Sequence, residues 1–92
     1  MPLGNPEDQA ALAITDTVQT VTISQGIWSV EFQNTGNKDV YYGKSSTLTS
    51  ARGGIIYANG DRKSFENVAT NWKISFICAT GESSTLRQIN YV

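Results

Sequence analysis

The sequence contains no histidine, a single cysteine and few charges, and these shortages limit the chemistry that the chain can perform. Without histidine there is no Ser-His or Cys-His dyad, no imidazole metal ligand and no imidazole general base. One cysteine, Cys78, excludes an internal disulfide. Cys78 lies in an apolar run, 74–79, that is typical of a buried strand, so we interpret it as a core residue and not as a nucleophile.

Charge is also scarce. Only 16% of the residues are charged and the formal net charge is −1, with the cations spread from Lys38 to Arg87. No basic stripe of the kind that binds nucleic acid is present. The N-terminus lacks the segments of a signal peptide, and no apolar run is long enough to span a membrane. We therefore expect a soluble protein made in the cytoplasm, with neither nucleic acid nor a membrane as its partner.

The carboxylates are dispersed and predict no catalytic pair. Glu31 falls on the polar side of a strand, and the acids that follow it in the chain fall in or beside turns. Asn59 and Asp61 supply two oxygen ligands for a cation at most, and a tight turn between them accounts for both. The sequence predicts a non-enzymatic protein with no catalytic residue, no metal and no cofactor.

Short runs with a period of two dominate the chain from Ala13 onward. In the run 27–34, Trp28, Val30 and Phe32 alternate with polar residues, which indicates a strand with one buried face. The run 72–79 repeats the pattern with Trp72, Ile74, Phe76 and Cys78 inward. Further strands are predicted at 17–23, 40–43, 54–58, 62–66 and 84–92, with a strand fragment at 47–49. Turn residues at 34–39 and at 59–61 predict that each joins its flanking strands in a hairpin.

This count of strands predicts an all-β fold. We expect a small β-sandwich, jelly-roll or immunoglobulin-like, of seven to eight short antiparallel strands. Residues 12–92 form a single sandwich domain in this interpretation, and residues 1–11, which contain both prolines, form an extended N-terminal arm. The arm is either disordered or reaches a neighbouring subunit. Because the core is small, neighbours are expected to complete the surfaces at the arm and at the last strand, in a homo-oligomer that is a trimer.

Adjacent tyrosines give the clearest candidates for binding. Tyr41 and Tyr42 must point to opposite faces of their strand, so one of them lies outside. An exposed tyrosine can stack on a sugar or anchor a protein interface. The candidate partner-binding residues are Pro2, Leu3 and Pro6 in the arm, and Tyr41, Tyr42, Asn37 and Asp39 around the predicted hairpin.

The order of several segments resembles a known group of proteins. These segments are 28–36 with its Asn-x-Gly turn, Val40-Tyr-Tyr-Gly43, Asn59-Gly-Asp61 leading to Phe65, 74–81, and Ser84-Thr-Leu-Arg87. Together, over residues 27–92, they resemble small β-sandwich virion proteins of tailed bacteriophages, which are capsid decoration (cement) proteins or tail-associated modules.

The resemblance implies a structural protein on the surface of the phage capsid. Such a protein binds the major capsid protein and stabilises the head without any catalytic step. The size of the chain and its arm favour this role over a fibre, which usually needs a shaft. The alternative is a glycan- or receptor-binding module of a phage tail or fibre.

Overall fold

A computed structural model describes residues 6–23, 27, 29–44, 47–66 and 71–91 of the chain. Within these residues the chain forms nine strands. The described residues contain no helix that is long and apolar enough to cross a membrane. The strands are β1 Pro6–Asp8, β2 Leu12–Ile14, β3 Gln19–Ile23, β4 Ser29–Asn34, β5 Val40–Gly43, β6 Gly54–Ile56, β7 Arg62–Glu66, β8 Trp72–Ile77 and β9 Ser84–Tyr91.

The strands form two antiparallel sheets, which confirms the predicted β-sandwich. Sheet A has the order β1-β9-β4-β7, with β2 pairing alongside β1 on the same edge of β9. Sheet B has the order β3-β8-β5-β6. Strands β3 to β9 coincide with predicted strands, whereas β1 and β2 were not predicted, and residues 47–49 do not form a strand although Leu48 is buried.

Pairing between the strands follows a simple rule. In the series from β2 to β9, strands that are equally distant from the two ends pair with each other: β2 with β9, β3 with β8, β4 with β7 and β5 with β6. Two further pairs, β4 with β9 and β5 with β8, complete the sheets. The result is one long antiparallel hairpin rolled into two sheets, which is the topology of a jelly roll. The order of the strands therefore selects the jelly roll from the two sandwich types that the sequence left open.

The two predicted hairpins are wrong. Strand β4 lies in sheet A and β5 in sheet B, so residues 35–39 cross from one sheet to the other. Residues 57–61 cross in the same way between β6 and β7. The tight turn at 59–60 is nevertheless real, because Asn59 and Gly60 have φ values of 66° and 110°. In the rolled topology, β5 and β6 are the neighbours along the chain that pair with each other.

The core lies between the two sheets and agrees with the predicted alternation. Trp72 is half-buried at its edge, and Trp28, which was also predicted to be inward, lies outside the described residues. Ser29 and Ser75 are buried although the pattern placed both on outer faces. The buried apolar residues are Ile14, Ile23, Val30, Phe32, Val40, Ile56, Ile74, Phe76, Cys78 and Leu86.

The first and the last of the described strands meet in sheet A. From Pro6 to Asp8 the predicted arm forms β1, which pairs with residues 89–91 of β9. The sequence predicts that a neighbouring subunit completes the surface at the last strand. In the structure β9 is not an edge strand, because it pairs with β1 and β2 on one side and with β4 on the other. The last strand of the chain therefore lies in the interior of its sheet.

Candidate functional site

An open cleft of about 610 Å³ lies where one end of β5, the end of β7 and the start of β8 come together. Its apolar side chains come from both sheets, since Phe65 belongs to sheet A whereas Tyr42, Trp72 and Ile74 belong to sheet B. We call it the aromatic cleft. Its lining residues are Tyr42, Gly43, Lys44, Phe65, Asn71, Trp72, Lys73 and Ile74.

The aromatic rings of the cleft are a continuation of the core. The Phe65 ring meets the Tyr42 ring edge to face at 5.7 Å between centroids, and it meets the Trp72 ring at 5.1 Å. On its other side Phe65 contacts Phe32 at 6.2 Å, and Phe32 contacts Phe76 at 4.8 Å. Each of these contacts lies in the range that stabilises aromatic pairs. The rings are therefore held in place by the core.

The position of the Tyr42 ring follows from its partner across the sheet. Tyr42 is in register with Gly54 on β6, and a Cβ atom at position 54 would contact the Tyr42 ring. Glycine at 54 thus leaves the space that the ring occupies. The Lys63 ammonium lies 5.8 Å from the centre of the same ring, which is within the range of a cation–π interaction.

Positive charge surrounds the aromatic cleft. Lys44 and Lys73 line it, Lys63 lies over the Tyr42 ring, and no acidic residue is among the described residues that line it. In the described part of the chain, the ion pairs join Lys38 to Glu82 at 3.7 Å and Arg62 to Glu31 at 3.8 Å, so neither uses a lysine of the cleft. The cleft is therefore locally cationic although the formal net charge of the protein is −1.

A second candidate surface is the outer face of sheet B. Tyr41 is in register with Ile55 on β6 and with Ile77 on β8, and all three lie on the side of the sheet away from the core, because their neighbours in sequence point into it. Tyr41 and Ile55 are half-buried there, and Ile77 is 9% exposed. Tyr57, which is 58% exposed, follows β6 immediately. We call Ile55, Tyr41 and Ile77 the apolar row.

The two sheets differ strongly in charge. The strands of sheet B contain one charged residue, Lys73, among their described positions. Beyond the apolar row, the outer face of sheet B carries Thr20 and Ser75, whose hydroxyls are hydrogen-bonded at 2.9 Å. The strands of sheet A contain Glu7, Asp8, Glu31, Arg62, Lys63, Glu66 and Arg87.

The predicted binding residues do not form one cluster. Tyr41 and Tyr42 point to opposite faces, as predicted, with Tyr41 in the apolar row and Tyr42 in the aromatic cleft. In the arm, Pro6 is exposed at the start of β1, and Pro2 and Leu3 lie outside the described residues.

Asn37 and Asp39 lie in the crossing 35–39, at the start of β5, whereas the aromatic cleft is lined by the end of β5. Asp39 accepts a hydrogen bond from the Ala58 backbone N–H at 2.8 Å, so its carboxylate fixes the neighbouring crossing. Asn37 is exposed. The polar residues that accompany Tyr42 in the cleft are Asn71 and the lysines, which the sequence pattern did not single out.

Asn34 has a structural role in the buried interior, although the sequence pattern predicts only a turn at this position. Its side chain is completely buried, and each of its two polar groups makes two hydrogen bonds. The Nδ2 group donates to the backbone carbonyls of Lys38 at 2.7 Å and Ile56 at 3.0 Å. The Oδ1 atom accepts from the Gly36 N–H at 3.1 Å and the Ser84 hydroxyl at 2.7 Å. Asn34 thus joins both sheets at the end opposite the cleft.

The thiol of Cys78 lies in the core. Cys78 is 1% exposed, and burial, followed by the nearby charge of Glu82, raises the pKa of its thiol. Its Sγ atom lies 3.6 Å from the Ile14 carbonyl oxygen, in donor geometry. A thiol whose pKa is raised in this way is a poor nucleophile. No group of three or more possible metal-ligating His, Cys, Asp or Glu side chains occurs in the part of the chain that the structure describes.

Comparison of the chain with protein-family models, with curated proteins and with solved structures finds no match. The case for a function therefore rests on the two surfaces described above and on the sequence resemblance of residues 27–92.

Proposed function

We propose that the protein is a non-enzymatic structural protein of a phage virion, a decoration (cement) protein that binds the major capsid protein at the capsid surface. The observation that carries the proposal is the outer face of sheet B, with its apolar row and its single charged strand residue. The resemblance of residues 27–92 to small phage virion proteins gives the particle and the partner.

The composition of this face favours a protein partner. Cores of protein interfaces are depleted in charged residues and enriched in tyrosine, and buried tyrosines often supply much of the binding free energy. Tyr41 lies in the middle of the apolar row, between Ile55 and Ile77. A partner that covers the exposed parts of Tyr41 and Ile55 removes apolar surface from water, which stabilises a complex by roughly 25 cal/mol for each Å².

The mechanism that we propose is mechanical. Each subunit binds where capsid proteins adjoin, and the apolar surface buried there resists the outward pressure of the packaged DNA. The protein acts as a homotrimer, so that three copies of the face of sheet B bind one group of capsid proteins. The charged outer face of sheet A then remains in water.

The experiment measures binding to capsids of the phage that encodes the chain, purified from a strain lacking its gene. Replacing Tyr41 by Glu places a charge in the apolar row, and replacing Thr85 by Glu adds the same charge to the exposed side of β9 in sheet A. We expect Thr85→Glu to bind like the wild type and Tyr41→Glu to bind at least about tenfold more weakly, as for a central interface residue. Melting curves check that both variants are folded.

Equal occupancy of the capsid by the two variants would show that the outer face of sheet B is not the docking surface. No binding by the wild type would remove the decoration function itself. Light scattering tests the trimer separately, since a trimer has three times the 10.0 kDa mass of the chain.

A second candidate function is a glycan- or receptor-binding module of a phage tail or fibre. The aromatic cleft favours it, because partly exposed aromatic rings beside amide and charged groups are the usual components of such sites. Locating the protein in particles, by labelling it on heads or on tails, separates the two candidates.

A further inference from the structure

The aromatic cleft has the size and composition of a site for a small ligand. Its volume of about 610 Å³ falls within the range of such pockets, which are mostly apolar with a few polar groups that orient the ligand. Tyr42, Trp72 and Ile74 give the apolar surface, and Asn71 and the lysines give the polar groups. The cleft lies between the sheets, so a partner bound to the outer face of sheet B leaves its apolar walls accessible.

The rings of the cleft are arranged as a preformed surface. Phe65 packs against both Tyr42 and Trp72 from the core side, at 5.7 Å and 5.1 Å between ring centroids. Both outer rings are half-buried, so each keeps part of its surface in water. A ligand would meet rings already held by the core, and little conformational entropy would be lost on binding.

The charges of the cleft define the sign of the ligand. Lys44 and Lys73 are exposed beside the rings, and Lys63 adds a third cation behind Tyr42. Within the described residues, no acidic side chain lines the cleft and none is paired with these lysines. Two exposed lysines beside an apolar wall, with a third lysine over the Tyr42 ring, complement a ligand that is apolar on one side and anionic on the other.

We propose that the aromatic cleft binds an acidic sugar residue, a pyranose ring that carries a carboxylate. The C–H face of the ring packs on Trp72 and Tyr42, the carboxylate lies between Lys44 and Lys73, and the Asn71 side chain bonds a ring hydroxyl. A pyranose combines an apolar face with hydroxyls at its edge, which matches aromatic walls beside an amide better than an acyl chain does. This inference does not depend on the decoration function.

The probes are trigalacturonate, its fully methyl-esterified form and an acetylated, amidated triglutamate peptide. The ester keeps the sugar rings and loses the charge, whereas the peptide keeps three carboxylates and loses the rings. Binding to the ¹⁵N-labelled full chain is followed by the shifts of the amide signals of 43–44 and 71–74. The Trp72 indole signal is assigned by its loss in Trp72→Phe, because the chain contains two tryptophans.

We expect saturable shifts of these signals with trigalacturonate at millimolar concentrations, and none with the ester or the peptide. The double variant Lys44→Gln/Lys73→Gln should bind about fivefold more weakly, since two exposed charge pairs are lost. The matched control, Lys38→Gln/Arg87→Gln, removes the same charge far from the cleft and should bind within about twofold of the wild type. Salt should weaken binding to the wild type more than to the double variant.

Several results would overturn the proposal. Absence of saturable shifts at about 20 mM trigalacturonate would exclude a useful affinity. Equal binding of the ester would show that the lysines do not select for charge, and equal binding of the peptide would identify a general carboxylate or peptide site. Loss of binding in both double variants alike would show a diffuse charge effect. None of these results bears on attachment to capsids, so a failure here is distinguishable from a failure of the decoration function.

Discussion

At the scale of single residues, Asn34 is the clearest link between sequence and fold. Its amide makes four hydrogen bonds in a completely buried position, to groups that come from the crossing 35–39, from β6 and from β9. A buried polar group stabilises a fold only when its partners are complete, and leaving those partners unpaired costs more than the bonds contribute. The stability of this end of the sandwich therefore depends on one side chain.

We predict that Asn34→Ala lowers the free energy of unfolding by about 2–5 kcal/mol, because it leaves buried donors and acceptors without partners. Urea denaturation followed by tryptophan fluorescence measures the change. Asn37→Ala is the matched control, since Asn37 is exposed in the same crossing and should change stability by less than about 0.5 kcal/mol. Equal effects of the two substitutions would show that the hydrogen bonds of Asn34 add nothing specific.

Sequence patterns predicted what single residues do in strands better than what they do in turns. The alternation placed Val30, Phe32, Ile74, Phe76 and Cys78 inward, and all five are buried. Asn34 was assigned to a turn because Asn-x-Gly is a common turn sequence. Its partners include residues 22 and 50 positions away, and a local pattern contains no information about them.

At the scale of strands and turns, the sequence located most elements but not their partners. Strands β5 and β7 have the bounds that were predicted, and the turn at 59–60 has the expected positive φ values. Turn residues show where the chain reverses, but the same reversal can lead back into the same sheet or across to the other. The pairing is decided by which faces meet in the core, and that depends on all the strands together.

The N-terminal strand shows how an unpredicted element changes an experiment. Residues 6–11 contain no alternation, yet β1 pairs with residues 89–91 through the backbone. We predict that deleting residues 2–11 leaves the sandwich folded, because the completely buried Ile14 on β2 keeps its place in the core. The deletion should also speed amide hydrogen exchange at 89–91, where β1 covers β9.

Hydrogen exchange of the intact and truncated chains tests this. The control is strand β8 in sheet B, whose amide groups should keep their protection, because β8 pairs with β3 and β5 and not with β1. Unchanged exchange at 89–91 would show that β1 does not pair with β9 in solution. A general loss of protection would show instead that residues 2–11 are needed for the whole fold.

At the scale of the whole molecule, the jelly roll separates two surfaces with different chemistry. The outer face of sheet B carries the apolar row beside uncharged polar residues, whereas the aromatic cleft opens between the sheets and is lined by Lys44 and Lys73. Tyr41 and Tyr42 are neighbours in the chain but belong to different surfaces, because adjacent residues of a strand face opposite sides. A single short strand, β5, thus contributes a tyrosine to each surface.

The same topology makes the last strand essential. Strand β9 lies inside sheet A, pairs with β1, β2 and β4, and brings the completely buried Leu86 into the core. We predict that a chain ending at Ser83 does not fold, because the removal of β9 exposes both β2 and β4 and leaves the core open. Circular dichroism and the dispersion of amide signals measure this. Deleting residues 2–11 removes a similar length of chain and serves as the control.

We expect the protein to fold slowly, because strands that pair with each other are far apart in the sequence. Since β2 pairs with β9, two segments far apart in the chain must meet before sheet A is complete, and closing such long loops makes all-β proteins fold in milliseconds to seconds.

Leu86→Ala should lower the free energy of unfolding by about 2–5 kcal/mol, as for other buried leucines. A cooperative melting transition in the chain that ends at Ser83 would contradict the central position of β9.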